Sequence, residues 1–93
     1  MQNETTNTVP NLDAMNRDEL EAFQDRWSNA SDEEAEALIG RPGGGGVARR
    51  LAGYAMLKSA AIRHRLAGSI DEAQAYEQHC DEEYATLPED LKW

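Results

Sequence analysis

The stretch from Gly46 to Leu66 constrains the fold of this chain more than any other part of the sequence. From Val47 onward it contains no proline and one glycine, Gly53, and it is rich in residues that lose little entropy in a helix. We therefore expect one helix of roughly five turns. Its apolar residues form one broad face and extend beyond it, which indicates neighbours on more than one side. The broad face consists of Val47, Leu51, Tyr54, Ala55, Ala61 and Ile62.

Charge is divided sharply along the chain. Residues 47–66 carry 5 basic residues and no acidic one, whereas residues 1–46 carry 10 acidic and 3 basic residues, and residues 67–93 carry 8 acidic and 1 basic. This pattern favours packing of acidic helices alongside the basic one, although single surface pairs contribute less than about 1 kcal/mol. The net charge of −9 argues against nucleic acid as a partner, because phosphates require a basic surface.

Length and composition indicate one small globular domain. The chain has 93 residues, of which 40% are hydrophobic and 29% charged, so it falls outside the disordered class. Cys80 is its one cysteine and has no partner for an internal disulfide. No apolar run approaches the roughly 18 residues of a membrane span. We expect a cytoplasmic protein that does not bind a membrane.

Three patterns of Asn or Ser followed three residues later by Glu predict capping boxes, each of which starts a helix. We expect helices at Arg17–Trp27, Asp32–Ile39 and Ile70–Ala85. Each begins directly after the first residue of one pair, and the pairs are Asn16/Glu19, Ser31/Glu34 and Ser69/Glu72. Residues 1–11 are polar and without periodicity, so we expect a disordered or loosely attached tail followed by a single helical domain at residues 12–93.

The predicted fold class is all-α. The short connection at Ala67 and Gly68 indicates that Val47–Leu66 and Ile70–Ala85 form a long antiparallel helical hairpin. The two N-terminal helices are shorter and are expected to pack on this hairpin. The result is a small helical bundle.

The glycine run Gly43–Gly46 has two interpretations. In the first it is a flexible linker between the second and third helices. In the second, the backbone N–H groups of Gly44, Gly45 and Gly46 bind a small anion or phosphorylated ligand with help from Arg49 and Arg50. The run matches neither the P-loop nor the dinucleotide-binding pattern.

Lys58 and Arg65 project from the apolar face of the central helix, where an unpaired charge would be costly. They are candidates for buried charge pairing with carboxylates of a neighbouring helix, or they extend along the helix surface to reach water. A further interpretation is that they hold an anionic ligand.

No arrangement of residues predicts catalysis, a cofactor or a metal site. His79 and Cys80 are adjacent, and neighbours on a helix point about 100° apart, so they do not converge on one ion or one substrate. Carboxylate pairs with the Glu-x-x-His spacing of metal-binding bundles are absent from the sequence. We therefore expect a protein that is not an enzyme.

Several short patterns occur between Met15 and Trp93 in one order. They are Met-x-Arg-x-Glu-Leu-x-x-Phe from Met15, a Gly-rich turn, Tyr-Ala-x-x-Lys-x-x-Ala from Tyr54, Arg-Leu-x-Gly-x-Ile-x-x-Ala from Arg65, and a closing Leu-Pro-x-x-Leu-Lys-Trp. This combination resembles small helical proteins of phage and environmental bacterial origin that have no assigned activity. The resemblance implies no catalytic residue, cofactor or partner.

The expected function is that of a noncatalytic protein-interaction or assembly module. Its partner is expected to be a second copy of the chain, as a homodimer or larger assembly, or another protein. A small core and a central helix with apolar residues on several sides both favour association. The alternative is the anion-binding function of the glycine run.

Overall fold

The computed structural model describes residues 9–93. These residues form four α-helices and two 3-10 turns without any strand, so the prediction of an all-α fold is confirmed. The helices are α1 (Arg17–Ser28), α2 (Asp32–Ile39), α3 (Gly45–Leu66) and α4 (Ile70–Ala85), and the turns are Leu12–Ala14 and Glu89–Leu91.

The long helix α3 lies at the centre of the molecule and contacts α1, α2 and α4. Leu51, Tyr54 and Ala55 of its broad face are buried, and Val47 and Ile62 pack against the core from its edge. The neighbouring helices contribute further buried side chains to the same core. These are Leu20, Phe23 and Trp27 of α1, Ala35 and Ile39 of α2, and Cys80 of α4.

The helix α3 begins two residues earlier than predicted, so Gly45 and Gly46 are helical and do not belong to a linker. Gly43 has a left-handed φ of 79° that turns the chain into the helix. A Cβ atom at Gly44 would lie 2.6 Å from the Cβ atom of Ile39. The glycines at 43 and 44 therefore allow the end of α2 to pack directly against the start of α3.

Two of the three predicted capping boxes are confirmed. The side chains of Asn16 and Ser31 each accept a hydrogen bond from the backbone N–H three residues on, and the backbone N–H of each donates the reciprocal bond to the glutamate carboxylate. The third prediction is wrong, because the Ser69 side chain makes no capping bond. Instead the Ser69 N–H donates to the His64 carbonyl (2.8 Å), and Gly68 with φ of 83° closes the end of α3.

Packing of the described residues begins before Leu12, within the range predicted as a tail. Val9 is 6% exposed and belongs to the hydrophobic core. Residues 1–8 of the predicted tail lie outside the described residues. At the other end Leu87 and Leu91 are buried, so the segment after α4 also returns to the core.

Candidate functional site

The Asp13 carboxylate is the centre of a polar cluster that joins distant parts of the chain. It accepts hydrogen bonds from the Tyr54 hydroxyl (2.6 Å) and the Trp93 indole N–H (3.0 Å), and it pairs with the Lys58 ammonium group (3.1 Å). The Tyr84 hydroxyl donates to the Trp93 carbonyl (2.5 Å). The cluster fixes the first 3-10 turn and the segment at Trp93 against α3.

The surroundings of the cluster shift two pKa values. Burial by itself raises the pKa of the Asp13 carboxyl group, but hydrogen bonds from its three donors outweigh burial, so the pKa lies below the ordinary value of 3.8. The pKa of the Tyr54 hydroxyl is raised above its ordinary value of 10.0. Burial is the larger cause, and the hydrogen bond to Asp13 is the second. At neutral pH Asp13 is therefore ionised and Tyr54 is a neutral donor.

The predicted cations Lys58 and Arg65 both pair with carboxylates of this chain. Lys58 is paired with Asp13, which precedes α1, and its side chain is 27% exposed. Arg65 forms a bidentate pair with Glu77 of α4 (2.7 and 3.0 Å) at the surface. The hydrogen bond from Arg65 lowers the pKa of Glu77 and raises that of Arg65. Sequence reasoning missed Asp13 because this residue lies in a segment without periodicity. The position of Lys58 on an apolar face did indicate that a carboxylate partner was needed.

The glycine run is surrounded by carboxylates. The Gly43 N–H donates to the Glu36 side chain (3.0 Å), and the Arg49 guanidinium donates to Asp32 (2.5 Å). Arg50 donates to the Thr86 carbonyl (3.3 Å). Gly44 and Gly45 are buried, whereas Gly46 is exposed. The structure thus brings the candidate anion-binding residues together, but one of them, Arg49, already pairs with an acidic side chain of α2, and a second α2 carboxylate accepts from the neighbouring Gly43.

An exposed face of α3 lies apart from both clusters. Met56 is 49% exposed, and Arg63, which lies two turns further on, is also exposed. The Arg63 guanidinium makes no ion pair within residues 9–93. Leu66 (78% exposed) and Ile70 (41%) lie on either side of the connection between α3 and α4.

The thiol and imidazole groups do not form a reactive pair. Cys80 is buried, and this burial raises its pKa to about 11, so the thiol is protonated at neutral pH. His79 is on the surface, where its Nδ1 lies 3.4 Å from Glu82. His64 instead stacks on Tyr76 of α4, with ring centroids 5.3 Å apart.

The described residues contain neither a pocket nor a metal-binding group. No cavity of ligand size is found in residues 9–93. Within the same range no three side chains of His, Cys, Asp or Glu come together to hold an ion. None of the described helices combines the length and hydropathy that a membrane span requires.

Comparison with models of protein families, with curated proteins and with solved structures gives no match for this chain. The resemblance to small proteins of phage and environmental bacteria stays a prediction. Function is therefore inferred from the contacts, burial and charges of residues 9–93.

Proposed function

We propose that this protein is a noncatalytic interaction module that self-associates through the surfaces of α3 and α4. The observation that carries the proposal is the distribution of exposed apolar side chains. Met56, Leu66 and Ile70 are the large apolar residues that are exposed in the described part of the chain, and all three lie on α3 or at the first residue of α4. Single exposed apolar residues are ordinary, but their concentration on one helix pair is typical of an interaction surface.

The charges support a second copy as the partner. Among the cations of α3, Arg49, Lys58 and Arg65 are already paired with carboxylates, whereas Arg63 is exposed without an ion pair in residues 9–93. The rest of the chain carries a large excess of acidic residues. A second copy therefore offers acidic surface to the basic helix, which favours association of like chains.

The proposed surface rests on an antiparallel hairpin of α3 and α4. Arg65, near the end of α3, contacts Glu77 in the first half of α4, and Arg50, near the start of α3, contacts the carbonyl of Thr86 after α4. This crossed order supports antiparallel packing of the two helices. Such a hairpin presents α3 and the first turn of α4 as one continuous element.

The test is the solution mass, measured by light scattering after size exclusion over a range of protein concentrations, at low and at high salt. We expect a dimer or larger assembly whose dissociation increases with salt, because screening weakens attraction between charged surfaces. A monomer at every concentration and at both salt levels would contradict the proposal.

Binding of a small anion at Gly43–Gly46 is the alternative function, and we rank it second. The Gly43 N–H and the Arg49 guanidinium already donate to carboxylates of α2. An incoming anion would have to displace these carboxylates and would be repelled by them. Arg50 donates to the Thr86 carbonyl, and among the three candidate glycines Gly46 is exposed.

A further inference from the structure

The segment after α4 runs back across the molecule as a strap, by which we mean residues 88–93. It contains one 3-10 turn, in which the Leu91 N–H donates to the Pro88 carbonyl (2.9 Å). Lys92 pairs with Glu89 inside the same turn (3.2 Å). The strap therefore has a local shape of its own, and side-chain contacts with other elements hold it in place.

The aromatic end of the strap is bound by residues of three other elements. The Trp93 indole N–H donates to the Asp13 carboxylate (3.0 Å). Its ring packs edge-on against Tyr54 of α3 and Tyr84 of α4, with ring centroids 5.2 and 4.7 Å away. Leu91, two residues before Trp93, is 3% exposed and belongs to the hydrophobic core. The strap is thus inserted between side chains and does not simply lie on the surface.

Charge complementarity fixes the other end of the strap. Arg41, in the connection between α2 and α3, donates two hydrogen bonds to the Asp90 carboxylate (2.7 and 3.4 Å). A cation therefore meets the carboxylate of the strap, and the carboxylate of Asp13 meets its indole donor. The surface is matched to a segment that carries both groups at this spacing. We call this surface the strap groove; its polar and aromatic contacts come from Asp13, Arg41, Tyr54 and Tyr84.

The strap begins at a point that a second molecule can approach. Pro88 has extended backbone angles (φ of −57° and ψ of 142°), and Leu87 before it is buried at 6% exposure and so stays with its own core. Ala85, Thr86 and Glu89 on either side of these residues are exposed. Rotation about the ψ angle of Pro88 redirects the strap away from its own groove. Six residues reach at most about 20 Å at roughly 3.3 Å per residue.

We infer that the strap groove also binds the strap of a second copy, so that two copies exchange residues 88–93 across a two-fold axis beside Pro88. The second strap presents the same carboxylate at Asp90 and the same indole at Trp93, so both grooves keep the contacts described above. The exchange does not use the exposed apolar residues of α3 and α4. It therefore adds a second mode of interaction to the proposed function and is tested separately from it.

The test uses the charge reversals Arg41→Asp and Asp90→Arg. In either variant alone, like charges meet whether the strap is in its own groove or in that of an identical copy. In an exchanged dimer with one copy of each variant, the reversed strap meets the reversed groove and the native strap meets the native groove. We therefore expect the dissociation constant of the mixed dimer to be at least about tenfold below that of either variant with itself.

The composition of the dimers is the measurement. One variant carries a mass label, and native mass spectrometry of the equimolar mixture gives the proportions of mixed and unmixed dimers. Salt of about 0.15 M screens exposed charges that are more than about 8 Å apart, whereas a contact pair such as Arg41 and Asp90 is affected less. Association through the exposed apolar residues alone gives mixed dimers in statistical proportion, whereas exchange gives an excess of them.

Two controls isolate the strap. The double variant with Arg41→Asp and Asp90→Arg in one chain restores opposite charges within each copy, and mixed with the unmodified chain it should give no excess of mixed dimers. The matched control is the Arg65–Glu77 pair, which is also bidentate and half-exposed but joins α3 to α4. Arg65→Asp mixed with Glu77→Arg should give no excess either. Should a strap variant lose its helical circular dichroism, Arg41→Glu and Asp90→Lys make the same reversals.

Each outcome decides between the possibilities. An excess of mixed dimers in the strap mixture, with none in the two controls, would support exchange. Statistical proportions or monomers in the strap mixture would overturn it, and the proposed function would then stand or fall by the mass of the unmodified chain. An excess in the Arg65→Asp and Glu77→Arg mixture as well would show that α4 moves with the strap, which would overturn the strap as the exchanged unit.

Discussion

The indole N–H of Trp93 donates a hydrogen bond to the carboxylate of Asp13 (3.0 Å), and the two residues are 80 positions apart in the sequence. Trp93 also packs edge-on against Tyr54 and Tyr84, with ring centroids 5.2 and 4.7 Å away. One carboxylate and one aromatic ring therefore hold the segments before α1 and after α4 against the central helix. This cluster gives the molecule a structural connection that its helices alone do not provide.

Replacing Asp13 is expected to destabilise the fold. Asp13→Asn removes the charge that pairs with Lys58 and weakens the acceptor used by Tyr54 and Trp93. We expect a loss of about 1–2 kcal/mol in the free energy of unfolding, because the cluster is only half-buried and water compensates in part. Urea denaturation measures it. The control Asp18→Asn, at an exposed residue, should cost a few tenths of a kcal/mol; equal losses would contradict a special role for Asp13.

The stabilisation by Asp13 is expected to depend on pH. Its pKa in the folded protein lies below the ordinary value of 3.8, so the folded state binds this proton less readily than the unfolded state. The contribution is present above the unfolded pKa and is lost as pH falls through the folded pKa. The difference in unfolding free energy between the native chain and Asp13→Asn should therefore be constant near neutrality and shrink below about pH 4. A difference that grows with acidity would contradict the assignment.

Alanine substitutions at Gly53, within α3, and at Gly44, directly before α3, are expected to change the free energy of unfolding in opposite directions. Gly53→Ala should raise the unfolding free energy of the monomer by about 1 kcal/mol, because alanine favours the helix and its Cβ atom meets nothing. Gly44→Ala should lower it by about 1–3 kcal/mol, because its Cβ atom would collide with Ile39. Thermal or urea unfolding of dilute protein measures both. Effects of the same sign would show that packing around the glycines differs from this structure.

Inorganic phosphate is expected to give no saturable stabilisation of the native chain at millimolar concentration. The carboxylates of Asp32 and Glu36 occupy donors that a phosphate would need. Thermal unfolding in phosphate, with sodium chloride at equal ionic strength as the reference, measures the effect. A saturable rise in Tm that disappears in Arg49→Ala and Arg50→Ala would instead favour the anion-binding function.

The Cys80 thiol is expected to react slowly with a disulfide reagent at pH 8. Burial raises its pKa to about 11 and hides it from solvent, so both the thiolate population and the access are low. The reaction rate should rise toward that of an unfolded peptide as urea opens the chain. Asp13→Asn should also increase it, since that variant lowers the free energy of opening. A native rate equal to the unfolded rate would show that Cys80 is accessible.

The sequence by itself determined where most helices lie. The capping boxes at Asn16 and Ser31 and the left-handed Gly40 (φ of 88°) depend on hydrogen bonds and dihedral angles within a few residues. Local interactions of this kind depend on residues that are close together in the sequence. The bounds of α2 and α4 were predicted correctly.

Tertiary structure decided how these helices are connected and which charged side chains have an ion-pair partner within the described residues. Packing against Ile39 makes glycine necessary at position 44. The backbone N–H of Ser69 bonds to the end of α3, and the capping box predicted for Ser69 does not form. The pairing of Asp13 with Lys58 and the unpaired state of Arg63 within the described residues likewise follow from three-dimensional neighbours. Such contacts depend on which helix faces meet, and no spacing within one helix specifies the residue that approaches from another.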